Sequence, residues 1–140
     1  DFESKSSYNI RLQTTDSSGQ IFIKTFTFSV NNIKEAPISI ALSSSFFNEN
    51  IATSSIVATL STEDEDSSDI HTYSLVSGNG DTDNDAFNIE GSSLKIKASP
   101  NYENKSSYSI RLQTTDSGGE TFIANGLGNT SSDTILEVFI

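Results

Sequence analysis

FESKSSYNIRLQTTDSSGQIFI, from Phe2 to Ile23, returns as YENKSSYSIRLQTTDSGGETFI, from Tyr102 to Ile123. A segment that recurs this closely marks a repeating structural unit, and the distance between the copies is about the length of one sandwich domain. In the first copy Tyr8, Ile10 and Leu12 alternate with polar residues, and a second alternating run, Phe22 to Val30, follows a Ser-Ser-Gly turn at Ser17 to Gly19. Period-two alternation on both sides of a turn predicts a β-hairpin. An isolated hairpin is marginal in water, so these strands need upstream sequence, the body of the full repeat or another molecule to lean on.

Working outward, NNIKEAP (Asn31 to Pro37) separates the copies, and Pro37 removes a ladder donor as a linker would. This places a boundary there. Residues 1–36 read as the last strands of one repeat plus its linker, and residues 37–140 as one complete repeat with an extended last hairpin. The full repeat shows short apolar or alternating runs at Ile38 to Leu42, Ile56 to Leu60, His71 to Val76, Phe87 to Ile89, Leu94 to Ile96, Tyr108 to Thr114 and Thr134 to Ile140. Seven such runs at turn-marked intervals predict an all-β, Greek-key, immunoglobulin-like seven-stranded β-sandwich. Almost no helix is expected, because no window holds a helical period and Ser, Thr, Asn and Asp compete for backbone hydrogen bonds.

The chain of 140 residues carries 19 acidic against 8 basic residues, a formal net charge of -11. That balance disfavours nucleic acid and anionic membranes and makes cations the natural partners. With no cysteine, disulfides, thiolate metal sites and Cys nucleophiles are excluded. The absence of Met, including at position 1, reads as a processed or excised piece.

The acids gather at strand ends: Asp1 and Glu3, Asn48-Glu49-Asn50, Asp64-Glu65-Asp66, Asp81 to Asp85, and Asp116. Oxygen-only clusters suit a hard divalent cation, since calcium accepts 6 to 8 oxygens from separate loops. Acidic loops also keep a β-protein soluble and its edges unpaired, and composition alone leaves both readings open.

The order of the clusters resembles the cadherin repeat: Glu49 after the first strand, Asp64-x-Asp66 after the second, Asn101-x-Glu103 before the penultimate strand, Thr115-Asp116 at its end, then a linker closing on Ala36-Pro37. The wording is similar to that of bacterial tandem cadherin-like repeats in ASPNYENKSSYSIRLQTTDSGG, DEDSSDIHTYSLVSGNGDTDNDAF and NNIKEAP. The resemblance implies calcium shared between consecutive repeats. By position, one junction would use Asp1 and Glu3 from the preceding repeat, Asn32 and Glu35 from the linker, and Asp64, Asp66 and Asp116 from the following one. Glu49, Asn101 and Glu103 would serve the opposite end, and Asp16 an earlier junction. Asn32 and Asn101 stand where Asp is usual and Lys34 where Asn is usual, which implies fewer or weaker ions.

The function implied is an extracellular, cell-surface structural and adhesive module, non-enzymatic, stiffened by calcium and partnered by adjacent repeats or by other copies. The alternative is a subunit of a self-assembling fibre whose strands pair between molecules. His71, the only histidine, lies in DIHTYSL without a nucleophile elbow, so an exposed or cross-strand packing role is expected of it. One histidine and no cysteine also exclude a usual zinc site. ANGLGNTSSD (Ala124 to Asp133) reads as a lengthened hairpin loop with a turn at Asn125-Gly126, and Asn104 and Asn129 match the glycosylation triplet.

Overall fold

A computed structural model describes residues 1–124 and the backbone of 134–139. The turn expected at Asn125-Gly126 and the triplet at Asn129 lie outside the described residues. The chain divides into two compact units, Asp1–Lys34 and Glu35–Ile140.

The first unit is a single antiparallel hairpin, β1 (Ser7–Thr15) against β2 (Ile21–Ser29), in unbroken register from Ser7 opposite Ser29 to Thr15 opposite Ile21. Its turn is closed by Asp16, whose N–H donates to the Gln20 carbonyl at 2.9 Å, with Gly19 at φ +85°. Only glycine takes that left-handed geometry without strain, which is why the Ser-Ser-Gly signal located the turn. Both faces of the hairpin are exposed, including Tyr8, Ile10, Leu12 and Phe22.

Among the described residues, the second unit builds ten strands in three ribbons. β3 (Ser39–Leu42), β5 (Ile56–Glu63), β8 (Ser93–Ile96) and β7 (Phe87–Glu90) form one antiparallel sheet in that order. Opposite them, β11 (Thr121–Ala124), β10 (Leu112–Thr115) and β6 (Thr72–Leu75) form a second ribbon, and β4 (Phe46–Asn48), β12 (Thr134–Phe139) and β9 (Ser107–Ile110) a third. β12 lies parallel to β4 and antiparallel to β9. The last two ribbons run on from one another, because β9 and β10 are one strand interrupted at Arg111. The expected sandwich is therefore present, with the first strand split into β3 and β4 and the penultimate one into β9 and β10. β4 and β11 were not among the expected strands. Helix is limited, among the described residues, to one 3-10 turn, Asn84–Ala86.

Val57, Leu60, Phe87, Leu94 and Ile96 from one layer and Phe47, Ile110 and Leu112 from the other fill the core. Neighbouring Val57 and Ala58 are both buried, which simple alternation forbids; a bulge between Ile56 and Ala58 shifts the register and turns both inward. Phe87 stands edge-on to Phe47 and to Tyr108, with ring centroids 6.4 and 5.4 Å apart. Such edge-to-face pairs add about 0.5–1.5 kcal/mol beyond their burial. Thr114 is fully buried, and its hydroxyl lies 3.0 Å from that of Thr62, which in turn meets Tyr73 Oη at 3.1 Å, so no hydroxyl of the trio is stranded.

The acidic stretch Asp81 to Asp85 serves this architecture. Asp83 accepts the Ser109 N–H at 2.8 Å and pairs with Lys105 at 3.0 Å. Asn84 accepts the Arg111 N–H at 2.9 Å and donates to the Val76 carbonyl at 3.0 Å. Backbone groups that leave the ladder at the Arg111 interruption thereby find side-chain partners.

Candidate metal centre

Two turns made by the repeated sequence show what local sequence dictates. Asp116 N–H donates to the Glu120 carbonyl at 3.0 Å and Asp116 Oδ1 accepts the Glu120 N–H at 2.8 Å. The matching turn in the first unit has Asp16 Oδ1 accepting from Gln20 N–H at 2.8 Å and Ser18 N–H at 2.9 Å. Those bonds, the Gln20 N–H foremost and then the Ser18 hydroxyl, hold the Asp16 carboxyl below its ordinary 3.8. The surroundings differ: Asp16 is exposed, whereas Asp116 is 7% exposed.

Around Asp116 the second unit assembles a cluster of acids. Asp64 and Asp66 follow the end of β5 and Asp116 follows β10, so all three sit at the same end of the sandwich. Carboxylate oxygens of Asp64, Asp69 and Asp116 lie within 4.8 Å of one another. Asp66, 4% exposed, accepts the Glu35 N–H on Oδ2 at 3.0 Å, and its own N–H donates to Asp64 Oδ1 at 3.0 Å. Asp64 Oδ2 lies 2.8 Å from His71 Nε2. Asp116 Oδ2, by contrast, is buried without a hydrogen-bond partner.

A buried carboxylate oxygen left bare is costly, and its neighbours here are other carboxylates. At about 4.8 Å and an effective dielectric of about 20, each like-charged pair repels by roughly 3 kcal/mol. A divalent cation relieves both problems, and the donor set, oxygen throughout and contributed by separate loops, fits calcium rather than a soft metal.

The expected ligands thus fall into three groups. Asp64, Asp66 and Asp116 come together within the second unit, joined through its backbone by Glu35. Asp1, Glu3 and Asn32 belong to the first unit; Asp1 caps its own turn, accepting the Ser4 N–H at 3.2 Å, while Asn32 is exposed beyond β2. Glu49, Asn101 and Glu103 lie near one another at the other end of the β9–β10 strand: Glu49 accepts the Tyr102 N–H at 3.1 Å and Asn50 donates to the Pro100 carbonyl at 2.9 Å. Asn101 uses its side-chain oxygen to cap Asn104 N–H at 2.9 Å, the same turn that Asp1 makes with Ser4.

Sequence reading missed Asp69 and misjudged His71. His71 precedes β6 rather than sitting within it, and its ring meets Asp64 instead of packing across strands. The signal for both was the short stretch Ser67–His71 between Asp66 and β6, which leaves room only for a tight turn; the Asp69 N–H to Asp66 carbonyl bond, 2.9 Å, closes that turn, and both side chains come within reach of Asp64.

No protein-family model and no curated protein matches the sequence. Among solved structures, protocadherin gammaB7 EC3-6, a cis-dimer, matches 99% of this chain with a TM-score of 0.73 and 19% identity, over 34% of its own length. The protocadherin gammaB4 extracellular domain matches 99% of this chain at TM-score 0.63 and 23% identity, over 21% of its length. Human protocadherin-24 EC1-2 matches 99% at TM-score 0.67 and 20% identity, over 67% of its length. The chain therefore spans a fifth to a third of the first two. At these identities the likeness concerns architecture: the chain has the fold of cadherin extracellular domains.

Proposed function

We propose that this chain is an extracellular structural and adhesive repeat module of a bacterial cell-surface protein, in which calcium bound between consecutive repeats stiffens the array. Asp1, Glu3, Asn32, Glu35, Asp64, Asp66 and Asp116 are the ligands of one junction, and Glu49, Asn101 and Glu103 belong to the next. The observation that carries the reading is the acidic end of the second unit, where buried Asp116, one oxygen of which has no hydrogen-bond partner, stands among neighbouring carboxylates. Without a cation these groups repel; with one, the loops that carry them are locked, and repeats become a rod that projects or multiplies weak contacts.

The test is calcium titration by calorimetry with melting temperature followed in parallel. Saturable binding at roughly 10⁻⁴ to 10⁻³ M, the range of extracellular modules, with a raised Tm that the double substitution Asp64→Ala/Asp66→Ala abolishes, is expected. Absence of binding at several times that concentration would sink the reading.

A second reading, a subunit of a self-assembling fibre, is favoured by one observation. Leu12 is 54% and Ile10 39% exposed, while their repeat counterparts Leu112 and Ile110 are 1% and 0% exposed. The first hairpin therefore displays a face that, in the second unit, is core. In the rod reading the strands of a preceding repeat cover it; in the fibre reading another copy does. Sedimentation that shifts with protein concentration would favour the fibre.

A further inference from the structure

The sequence pattern assigns the second unit's share of the junction to Asp64, Asp66 and Asp116, but the structure brings a fourth carboxylate to the same place. We infer that Asp69 is a direct calcium ligand, completing with Asp64 and Asp116 an inner site whose three carboxylates all come from the second unit; this rests on the calcium reading above. Three observations converge on it. The oxygens of Asp64, Asp69 and Asp116 fall within 4.8 Å of one another, a spacing at which a single ion can touch all three. Asp116, a member of this group and more than nine-tenths buried, has an oxygen, Oδ2, with no hydrogen-bond partner. The turn that delivers Asp69 is closed by backbone bonds, Asp69 N–H to Asp66 carbonyl at 2.9 Å and Ser67 N–H to Glu65 carbonyl at 3.0 Å, so the chain itself brings this residue back beside Asp64 and Asp116.

The remaining contacts of Asp64 leave it suited to this role. Its Oδ1 takes the Asp66 N–H and its Oδ2 faces His71, which fixes the carboxylate plane while leaving each oxygen a second lone pair. His71 is thus a positioning residue and Asp69 a ligand. The consequence is compensation: where Asn32 and Lys34 subtract charge and oxygen from the linker side, Asp69 returns a carboxylate from the side of the second unit.

The experiment compares calcium isotherms and calcium-free melting curves of the full chain with those of Asp69→Asn, Asp69→Glu and Asp85→Asn. Asp85 is an exposed acid of the Asp81 to Asp85 stretch, and its loss removes the same unit of charge away from the cluster. Expected are an affinity on the order of tenfold weaker in Asp69→Asn, recovery in Asp69→Glu, and a change of less than about twofold in Asp85→Asn, as for a distant screened charge. The calcium-free Tm of Asp69→Asn should stay level or rise, because a repelling neighbour is removed; a purely structural Asp69 would instead lower it. Wild-type affinity in Asp69→Asn, or an equal loss in Asp85→Asn, overturns the assignment while leaving calcium binding intact. Failure of the unsubstituted chain to bind calcium overturns both readings together.

Discussion

Asp16 and Asp116 occupy the same turn of the same repeated sequence, and the difference between them is the second layer of structure. Asp16 has only its own loop, and the backbone and hydroxyl donors of that loop favour its charged form. Its folded value is therefore below its unfolded one, so its contribution is complete above about pH 4, near the ordinary carboxylate value, and fades as pH falls through the lowered folded value. An NMR titration should find the Asp16 carboxyl half-protonated below 3.8; a midpoint at or above that value would show that the loop donors do not hold it. Asp116 keeps the Glu120 N–H bond but has its other oxygen buried, turning a loop cap into a candidate ligand. Gly78 shows the same dependence on tertiary context: its φ of +138° permits only glycine comfortably, and the space a side chain would need is taken by the Arg111 guanidinium.

At the level of strands, the repeat supplies an internal control. β1 and the β9–β10 strand share Ser-Tyr, Ile-Arg-Leu-Gln-Thr-Thr and a following Asp, yet β1 is exposed throughout whereas Ile110, Leu112 and Thr114 are buried. Alternation specifies which side chains share a face but not whether that face is covered. Leu112→Ala should therefore destabilise the second unit by about 2–5 kcal/mol, the usual cost of emptying a core leucine site. Leu12→Ala should cost no more than about 0.5 kcal/mol, as for an exposed position. Chemical denaturation of the two variants measures both, and similar losses would mean that the first hairpin's apolar face is covered in solution. The interruption at Arg111 is the other difference: β1 runs unbroken through Arg11, while its counterpart yields Arg111 to the Asp83-Asn84 loop, a partner that the first unit lacks.

For the molecule as a whole, a net charge of -11 with acids gathered at strand ends means that the folded chain works against its own repulsion. Monovalent salt should relieve this in the absence of calcium. Raising ionic strength from about 0.01 M to about 0.15 M shortens the screening length from about 30 to about 8 Å, and the calcium-free Tm should rise with it. A Tm that falls or stays flat would indicate that favourable pairs such as Lys105 with Asp83 outweigh the repulsion. On the proposed function, calcium should act at far lower concentration than monovalent salt, because it would enter a cluster of carboxylates instead of thinning the general field.

The sequence by itself determined the all-β architecture and the hairpin with its turn, whereas the division of Asp64, Asp66 and Asp116 from Glu49, Asn101 and Glu103 was what the resemblance to the cadherin repeat implied. The architecture and the hairpin follow from period-two alternation and from Gly and Asp at turns, which are local properties of the chain. Only the tertiary structure decided that Asp69 joins the cluster, that His71 faces Asp64, that Asp81 to Asp85 is spent on the Arg111 interruption, and that Asp116 is buried where Asp16 is not. These depend on which loops fold back over which strand ends and on which faces a second sheet covers, and no stretch of residues carries that information within itself, as Phe2 to Ile23 and Tyr102 to Ile123 demonstrate by adopting the same turn in unlike surroundings.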